Sequence, residues 1–129
     1  MARKIYNFEK LHVWQSAANL DKSIYQLTLT FPKSEDFILK SQILRASISI
    51  CSNIAEGSGR RKGKEQGQFY KIAYSSLLEV INQLLLSINR GYLTEDDFQE
   101  KFESDINSVM GQLIALYKFT TNNTHGIPN

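Results

Sequence analysis

The residues best suited to chemistry form a short run of positive charge between two apolar stretches. Four cations lie within five positions, beside Gly57, Gly59 and Gly63, and a fifth follows on the next apolar stretch. These cations are Arg60, Arg61, Lys62, Lys64 and Lys71. Clustered guanidinium and ammonium groups bind the phosphates of a nucleic-acid backbone and release its counterions. The run therefore predicts a phosphate contact, although a solvated turn between two helices would have the same composition.

The glycines of this run do not predict a nucleotide site. A phosphate-binding loop follows a strand and ends in Gly-Lys-Ser or Gly-Lys-Thr, and Gly57-Ser58-Gly59 meets neither condition. No aromatic residue interleaves with the basic run, so we expect no stacking of bases. The expected ligand is the phosphate backbone alone.

Metal and nucleophilic chemistry lack the residues that they need. His12 and His125 lie at opposite ends of the chain, and the position one helical turn after His12 is Ser16. Cys51 lies in an apolar run without a nearby histidine. The acids between residues 95 and 105 lack the alternating ligands and internal glycine of a calcium loop. We therefore expect no enzyme activity, no metal, no other cofactor and no small-molecule substrate.

A stripe of varied polar residues marks one face of the second predicted helix. Its members recur at spacings of 3, 4, 4 and 3: Gln42, Arg45, Ser49, Asn53 and Glu56. The third predicted helix has a comparable row: Ser76, Glu79, Gln83 and Arg90. Both rows could be exposed faces. Alternatively they form a partly buried network between helices or subunits, with Arg45 paired to Glu79 or Glu56. Such a network would determine the register of the helices and the choice of partner more than it would stabilise the fold.

Four helices must position these residues. Apolar side chains recur every three to four positions over residues 9–30, 34–56, 64–90 and 94–120. Pro32, the basic loop and Gly91 separate the four segments, while Ser34 and Thr94 have the composition of helix N-caps. The short connections favour an all-α, antiparallel up-and-down four-helix bundle.

The second helix offers two neighbouring apolar rows. The first row contains Phe37, Leu44, Ile48 and Cys51. The second contains Ile43, Ile50 and Ile54. We expect both rows to face the interior of the bundle.

Length and composition agree with one globular domain. The 129 residues, 42% of them hydrophobic, divide into a bundle domain at 1–121 and a flexible C-terminal tail at 122–129. A single cysteine indicates a reducing, cytoplasmic location. The sequence contains no run of about 18 apolar residues, so we expect no membrane span. The net charge is +6 over residues 1–78 and −4 over residues 79–129.

The apolar surface is wider than a four-helix monomer needs to bury. The first helix has two adjacent apolar rows, and the third adds apolar residues beside its main row: Leu78, Ile81, Leu85 and Leu86. We therefore expect a homo-oligomer.

Several motifs of this sequence resemble those of one known family. The signature-like stretch is 41–60, with Asn53-Ile54-Ala55-Glu56-Gly57 at its centre. Residues 8–17 are similar to the opening motif of the family, and residues 24–28 and 31–35 to its first interhelical region. Residues 76–79 and 91–93 resemble its third helix and the following turn. The family that these motifs resemble is a bacterial one, the 23S rRNA intervening-sequence proteins, and the resemblance spans nearly the whole chain.

The resemblance implies a left-handed antiparallel bundle that assembles into a ring, as a homopentamer, with no established enzymatic activity. Nucleic-acid binding to structured RNA or DNA through the basic loop would suit such a ring, which would gather about twenty cations on one rim. A distant relative of the family is the accessory protein of diversity-generating retroelements, which engages reverse transcriptase. The alternative function is therefore a scaffold that docks a protein such as a reverse transcriptase.

Overall fold

The computed structural model describes residues 2–122 and residue 127, and its regular secondary structure consists of helices. Three long helices come first: α1 (His12–Thr28), α2 (Leu39–Ser58) and α3 (Lys64–Asn89). The fourth rod consists of α4 (Glu95–Phe98), a π-helical segment (Gln99–Glu103) and α5 (Ser104–Thr121). Two 3-10 turns precede α1 and α2, at Asn7–Lys10 and Lys33–Glu35. Over the described residues there is no strand, and the predicted all-α class is confirmed.

The four rods pack in chain order around a common core. Helix α1 contacts α2 and α5, and α3 contacts the same two helices from the opposite side. The 26-residue α3 is about 39 Å long, whereas the connections at 59–63 and 90–94 have five residues each. Because such connections cannot run back along the bundle, consecutive rods are antiparallel. The α2–α3 loop therefore lies at the same end as the start of α1 and the finish of α5.

The core is formed by one apolar face from each rod. The largest side chains with almost no exposed surface are Phe102, Leu20, Ile24, Ile43, Ile50, Ile54, Leu77, Leu84, Leu113, Val13, Val80 and Val109. Their burial removes several hundred Å² of apolar surface from water, at about 25 cal/mol per Å². This interior holds the four rods together.

On α2 the expectation of two buried rows was wrong for Phe37 and Ile48, whereas Leu44 and Cys51 of the same row are half-buried against the core. Ile43, Ile50 and Ile54 are buried, but Ile48 is 58% exposed and Phe37 is 95% exposed. Successive helical residues turn by about 100°, so Ile48 lies nearly opposite Ile50 and both cannot face the interior. Phe37 precedes the first residue of α2 and does not share its face.

The second helix begins at Leu39, five residues later than predicted, because Glu35 anchors the preceding segment. Its carboxylate Oε2 accepts hydrogen bonds from Arg90 Nη1 at 2.6 Å and from the Tyr92 hydroxyl at 2.7 Å. Glu35 is buried in a 3-10 turn, and the N-cap of α2 is Ile38 instead of Ser34, without a side-chain capping hydrogen bond. The α1–α2 connection is thus tied to the α3–α4 connection across the end of the bundle.

Two predicted helix signals are present in the structure. Thr94 Oγ1 accepts a hydrogen bond from the backbone N of Asp97 at 3.1 Å, as an N-cap does. Gly91, directly after α3, has φ +83°, a conformation that glycine adopts without a Cβ clash. The sequence did not indicate the π-helical segment, which inserts Phe102 into the core.

Serine side chains form hydrogen bonds across three of the helix pairs. Ser47 Oγ donates to Asp21 Oδ1 at 2.7 Å between α1 and α2. The Oγ atoms of Ser49 and Ser76 are 2.8 Å apart between α2 and α3. A third pair, Ser16 and Ser108, joins α1 and α5 at 3.0 Å. Such bonds inside an apolar interface fix the register of neighbouring helices.

Two further expectations concern membrane spans and the C-terminal tail. Within the described part of the chain, the helices lack the combination of length and hydropathy that spanning a membrane requires. The division at 121/122 stays a prediction, since of the tail only Asn122 and Ile127 belong to the described residues. His125 lies outside them.

Candidate nucleic-acid interface

The antiparallel order concentrates positive charge at one end of the bundle. We call this the basic end; it is formed by residues 2–14, 56–71 and 115–122 and has nine Lys and Arg against three Asp and Glu. The opposite or acidic end, formed by residues 30–42 and 86–105, has four against eight. The uneven charge along the sequence thus becomes a separation of charge along the bundle axis.

The structure brings all five predicted phosphate-binding cations to the basic end. Arg60, Arg61 and Lys62 lie in the α2–α3 loop and are exposed to solvent. Lys64 is the first residue of α3 and is also exposed, while Lys71 is half-buried two turns later. Gly63, with φ +124°, provides the backbone conformation that turns the loop into α3.

Local contacts orient Arg60 within the loop. Its guanidinium lies 5.1 Å from the centroid of the Phe69 ring, within the range of a cation–π interaction. One guanidinium nitrogen is 3.6 Å from a carboxylate oxygen of Glu65. With 46% of its side chain exposed, Arg60 can still present donors to an external anion.

Lys62 lies against an aromatic ring that is distant from the loop in sequence. The Lys62 ammonium is 4.0 Å from the centroid of Phe119, which belongs to α5 and is 68% exposed. No aromatic residue lies within the basic run itself, but the fold brings one beside it. No sequence signal connects the two residues, because their proximity depends on how α5 packs beside α1 and α3.

A polar depression continues the basic surface along α3 and α5. It has a volume of about 330 Å³ and is lined by Lys64, Gln68, Lys71, Tyr117 and Thr121. A Cβ added to Gly67 would clash with Thr121, so glycine allows α3 and α5 to approach closely here. The depression places Lys64 and Lys71 on one surface, as a phosphate contact would require.

Only the middle of the predicted polar stripe forms a network. Asn53 Nδ2 donates to the backbone O of Ser49 at 2.8 Å and to Ser49 Oγ at 3.1 Å, and Ser49 Oγ contacts Ser76 Oγ. The other members of the α2 stripe, Gln42, Arg45 and Glu56, are exposed, and so is Glu79 of the row on α3. Among the ion pairs of the described residues, none joins Arg45 to Glu79 or Glu56, so the predicted pairing is absent within one chain.

The shifted pKa values in this structure arise from burial and from contacts within the fold. Burial, together with the nearby Asp21 carboxylate, raises the pKa of the half-buried Cys51 thiol to about 12, which leaves little nucleophilic thiolate. Hydrogen bonds from Tyr92 and Arg90 lower the pKa of Glu35, and its carboxylate raises the pKa of Tyr92. In the part of the chain that the structure covers, no three His, Cys, Asp or Glu side chains group as metal ligands would.

Comparisons with protein families and with solved structures both give matches to this chain. A family model described as 23S rRNA-intervening sequence protein matches residues 9–115. A solved structure from Bacteroides thetaiotaomicron, described as a protein with unknown function from the S23 ribosomal protein family, superposes with a TM-score of 0.71 at 21% sequence identity. That alignment covers 82% of this chain and 98% of the other, and it shows a shared fold. No curated protein matches the chain. Neither match indicates an enzymatic family.

Proposed function

This chain belongs to the 23S rRNA-intervening sequence protein family, and we propose that it is a non-enzymatic, oligomeric bundle that binds the phosphate backbone of structured RNA or DNA. One observation carries the proposal: the exposed loop cations Arg60, Arg61 and Lys62 lie together with Lys64 and Lys71 at the basic end. Phosphates attracted to that end meet few competing carboxylates, because two of its three acids are paired with Arg3 and Arg60.

Such binding would depend on backbone charge and tolerate changes of base sequence. Each phosphate neutralised by a cation releases condensed counterions, so the logarithm of the binding constant falls with the logarithm of salt by about 0.9 per contact on duplex DNA. The exposed side chains of the loop are free to follow an uneven backbone, as in a folded RNA. The chemistry required is attraction and hydrogen bonding, with no bond made or broken.

Oligomerisation is the second part of the proposal. Five large apolar side chains remain exposed along α2 and α3: Ile48, Ile72, Leu78, Leu85 and Leu86. Arg45 and Glu79 are exposed on the same two helices, and no ion pair among the described residues includes either of them, which leaves both for contacts with a neighbouring subunit. A ring of five copies with parallel axes would place five basic loops on one rim. Light scattering at micromolar concentration tests this part, and a monomer there would contradict it.

The nucleic-acid proposal is tested with two variants of equal net charge. The loop variant changes Arg60, Arg61, Lys62 and Lys64 to alanine. The control variant changes four cations outside the basic end to alanine: Lys22, Lys33, Lys40 and Lys101. Fluorescence anisotropy with a labelled RNA hairpin, over about 50–300 mM KCl, should show a salt slope lower by about 3 for the loop variant only. Binding by the loop variant that equals wild type would remove the loop from the function.

A protein-docking scaffold is the second candidate, favoured by apolar exposure near the acidic end. Tyr25, Leu29, Phe37 and Ile38 each have more than half of their surface exposed there. Apolar surface of this kind suits a protein partner, such as a reverse transcriptase, more than a polyanion. Affinity capture of that partner with and without nuclease separates the two functions, because a scaffold retains its partner after nuclease treatment and a nucleic-acid bridge does not.

A further inference from the structure

We propose that a groove beside the basic loop holds one unpaired base of a nucleic-acid strand, with Phe119 as the stacking surface. The inference rests on the proposed function, because the loop cations must first bring a strand to the basic end. It goes further by naming the substrate class: RNA or DNA with an unpaired segment, in place of a continuous duplex.

The groove lies between the start of α1 and the last turns of α5. It has a volume of about 350 Å³, and its walls are mainly apolar, from Leu11, Leu116 and Phe119. Two polar side chains, His12 and Gln112, also line it. An apolar slot with a few polar groups at its edge suits a flat heteroaromatic ring, whose faces are apolar and whose edges form hydrogen bonds.

Phe119 is positioned as a stacking platform. It is the most exposed phenylalanine within a helix, at 68%, although its ring would be expected to lie inside a core. Unpaired bases stack on phenylalanine, tyrosine, tryptophan and histidine side chains, because every base has a π-face. The ring both lines the groove and contacts the basic loop, so it links the two surfaces.

Lys62 places a phosphate-binding group directly beside this platform. Its ammonium is 4.0 Å from the Phe119 ring centroid. Within one nucleotide only the sugar separates the phosphate from the base, so a single nucleotide can contact Lys62 with its phosphate and Phe119 with its base. Arg60 and Arg61 directly precede Lys62 in the loop and are available to the next phosphates of the strand.

Gln112 is held in place at the groove by a chain of hydrogen bonds. Its Nε2 donates to Ser108 Oγ at 2.9 Å, and Ser108 Oγ lies 3.0 Å from Ser16 Oγ on α1. With the amide nitrogen engaged, the amide oxygen is left to accept a hydrogen bond from an exocyclic amino group of a base. The exposed His12 imidazole provides a second aromatic face at the same groove.

Charge favours a nucleic acid over a second copy of this chain as the occupant. A second copy seated in the groove with its own basic end would place like charges face to face, which disfavours that contact; the proposed ring is instead formed through α2 and α3. A polyanionic strand has the complementary charge. A base-paired duplex supplies phosphates to the loop but no free base, so the groove discriminates between unpaired and paired strands.

The test uses Phe119→Leu, which keeps an apolar side chain but removes the ring, and Phe119→Tyr, which retains the ring. Anisotropy is measured with three probes of equal length: a single-stranded RNA, a DNA of the same sequence and a blunt RNA duplex. We expect Phe119→Leu to weaken binding of both single strands about fivefold or more, with the duplex unaffected. Phe119→Tyr should bind all three as wild type does.

Two results would overturn the inference. In the first, Phe119→Leu binds the single strands as wild type does. In the second, Phe119→Leu lowers the mass measured by light scattering, which would make the groove a contact between subunits. The proposed function fails separately, when the alanine variant of the four loop cations binds every probe as tightly as wild type. Circular dichroism should show unchanged helicity for both Phe119 variants, since the side chain is mostly exposed.

Discussion

Gly57 lies directly against Phe69: a Cβ at residue 57 would stand 2.9 Å from the Cβ of Phe69, too close for two side-chain carbons. The backbone O of Gly57 also accepts a hydrogen bond from Gln66 Nε2 at 2.9 Å, and the Phe69 ring lies under the Arg60 guanidinium. The glycine that ends the Asn-Ile-Ala-Glu-Gly motif is therefore required by the close approach of α2 and α3. The same contact holds the start of the basic loop against α3.

Gly57→Ala should destabilise the bundle by about 1–3 kcal/mol, because Phe69 Cβ is attached to the α3 backbone and cannot rotate away. Chemical denaturation followed by circular dichroism measures the change in the free energy of unfolding. Gly111→Ala is the matched control: a Cβ there meets nothing within 4 Å, and the residue is exposed inside α5. Since alanine favours helix over glycine, the control should stabilise by about 0.5–1 kcal/mol. Equal effects of both variants would contradict the packing explanation.

Glu35→Gln should lower stability at neutral pH and have less effect in acid. Hydrogen bonds from Tyr92 and Arg90 lower the pKa of the folded Glu35 carboxyl. Its contribution is therefore fully present above the unfolded pKa of about 4.3 and is lost as the pH falls through the lower, folded value. Unfolding titrations of wild type and variant, repeated across acidic pH, measure the difference. A difference that stays constant down to the lowest pH would exclude the carboxylate as its source.

Ionisation of Tyr92 reports the same contact from the other side. The Glu35 carboxylate raises the pKa of the Tyr92 hydroxyl, so the associated stability is present below about pH 10 and is lost as pH rises through the folded value. In Glu35→Gln the pKa of Tyr92 should fall, and ultraviolet difference titration detects it, with Tyr92→Phe identifying the signal. An unchanged titration would contradict the hydrogen bond between the two residues.

Ile50→Ala should lower the free energy of unfolding by about 2–5 kcal/mol. The Ile50 side chain is buried, and its neighbours can fill the cavity left by the substitution only partly. Ile48→Ala, two residues earlier on the exposed side of α2, should change it by about 0.5 kcal/mol or less at low protein concentration. Denaturation of the two variants in parallel decides which apolar row of α2 forms the core. A larger loss from Ile48→Ala would reverse the assignment of the faces.

Cys51 should react slowly with thiol reagents while the protein is folded. Burial raises its pKa to about 12, against about 8.5 for a free thiol, so the thiolate fraction at mildly alkaline pH falls on the order of a thousandfold. The rate of reaction with a chromogenic disulfide, before and after denaturation, measures the difference, and Cys51→Ser provides the blank. Equal rates in both states would show that the thiol is not protected.

Much of the architecture could be read from the sequence. The recurrence of apolar residues, the breaks at Pro32 and Gly91 and the Thr94 cap are local signals, because each depends on neighbours within about one helical turn. They were sufficient for four helices, their antiparallel order and the loop with Arg60, Arg61 and Lys62. The uneven charge along the sequence was also evident, and the order of the helices turns it into a basic end and an acidic end.

What the sequence could not determine were the contacts between rods, because these depend on how each helix rotates about its own axis. The sequence of α2 has two apolar rows, and packing against α1 and α3 buried the row with Ile50 and left Ile48 exposed. Glu35 resembled part of a helix start, yet the folded chain brings Arg90 and Tyr92 to its carboxylate. The Lys62–Phe119 contact has the same origin: the residues are distant in the chain, and only the tertiary packing of α5 beside the loop brings them together.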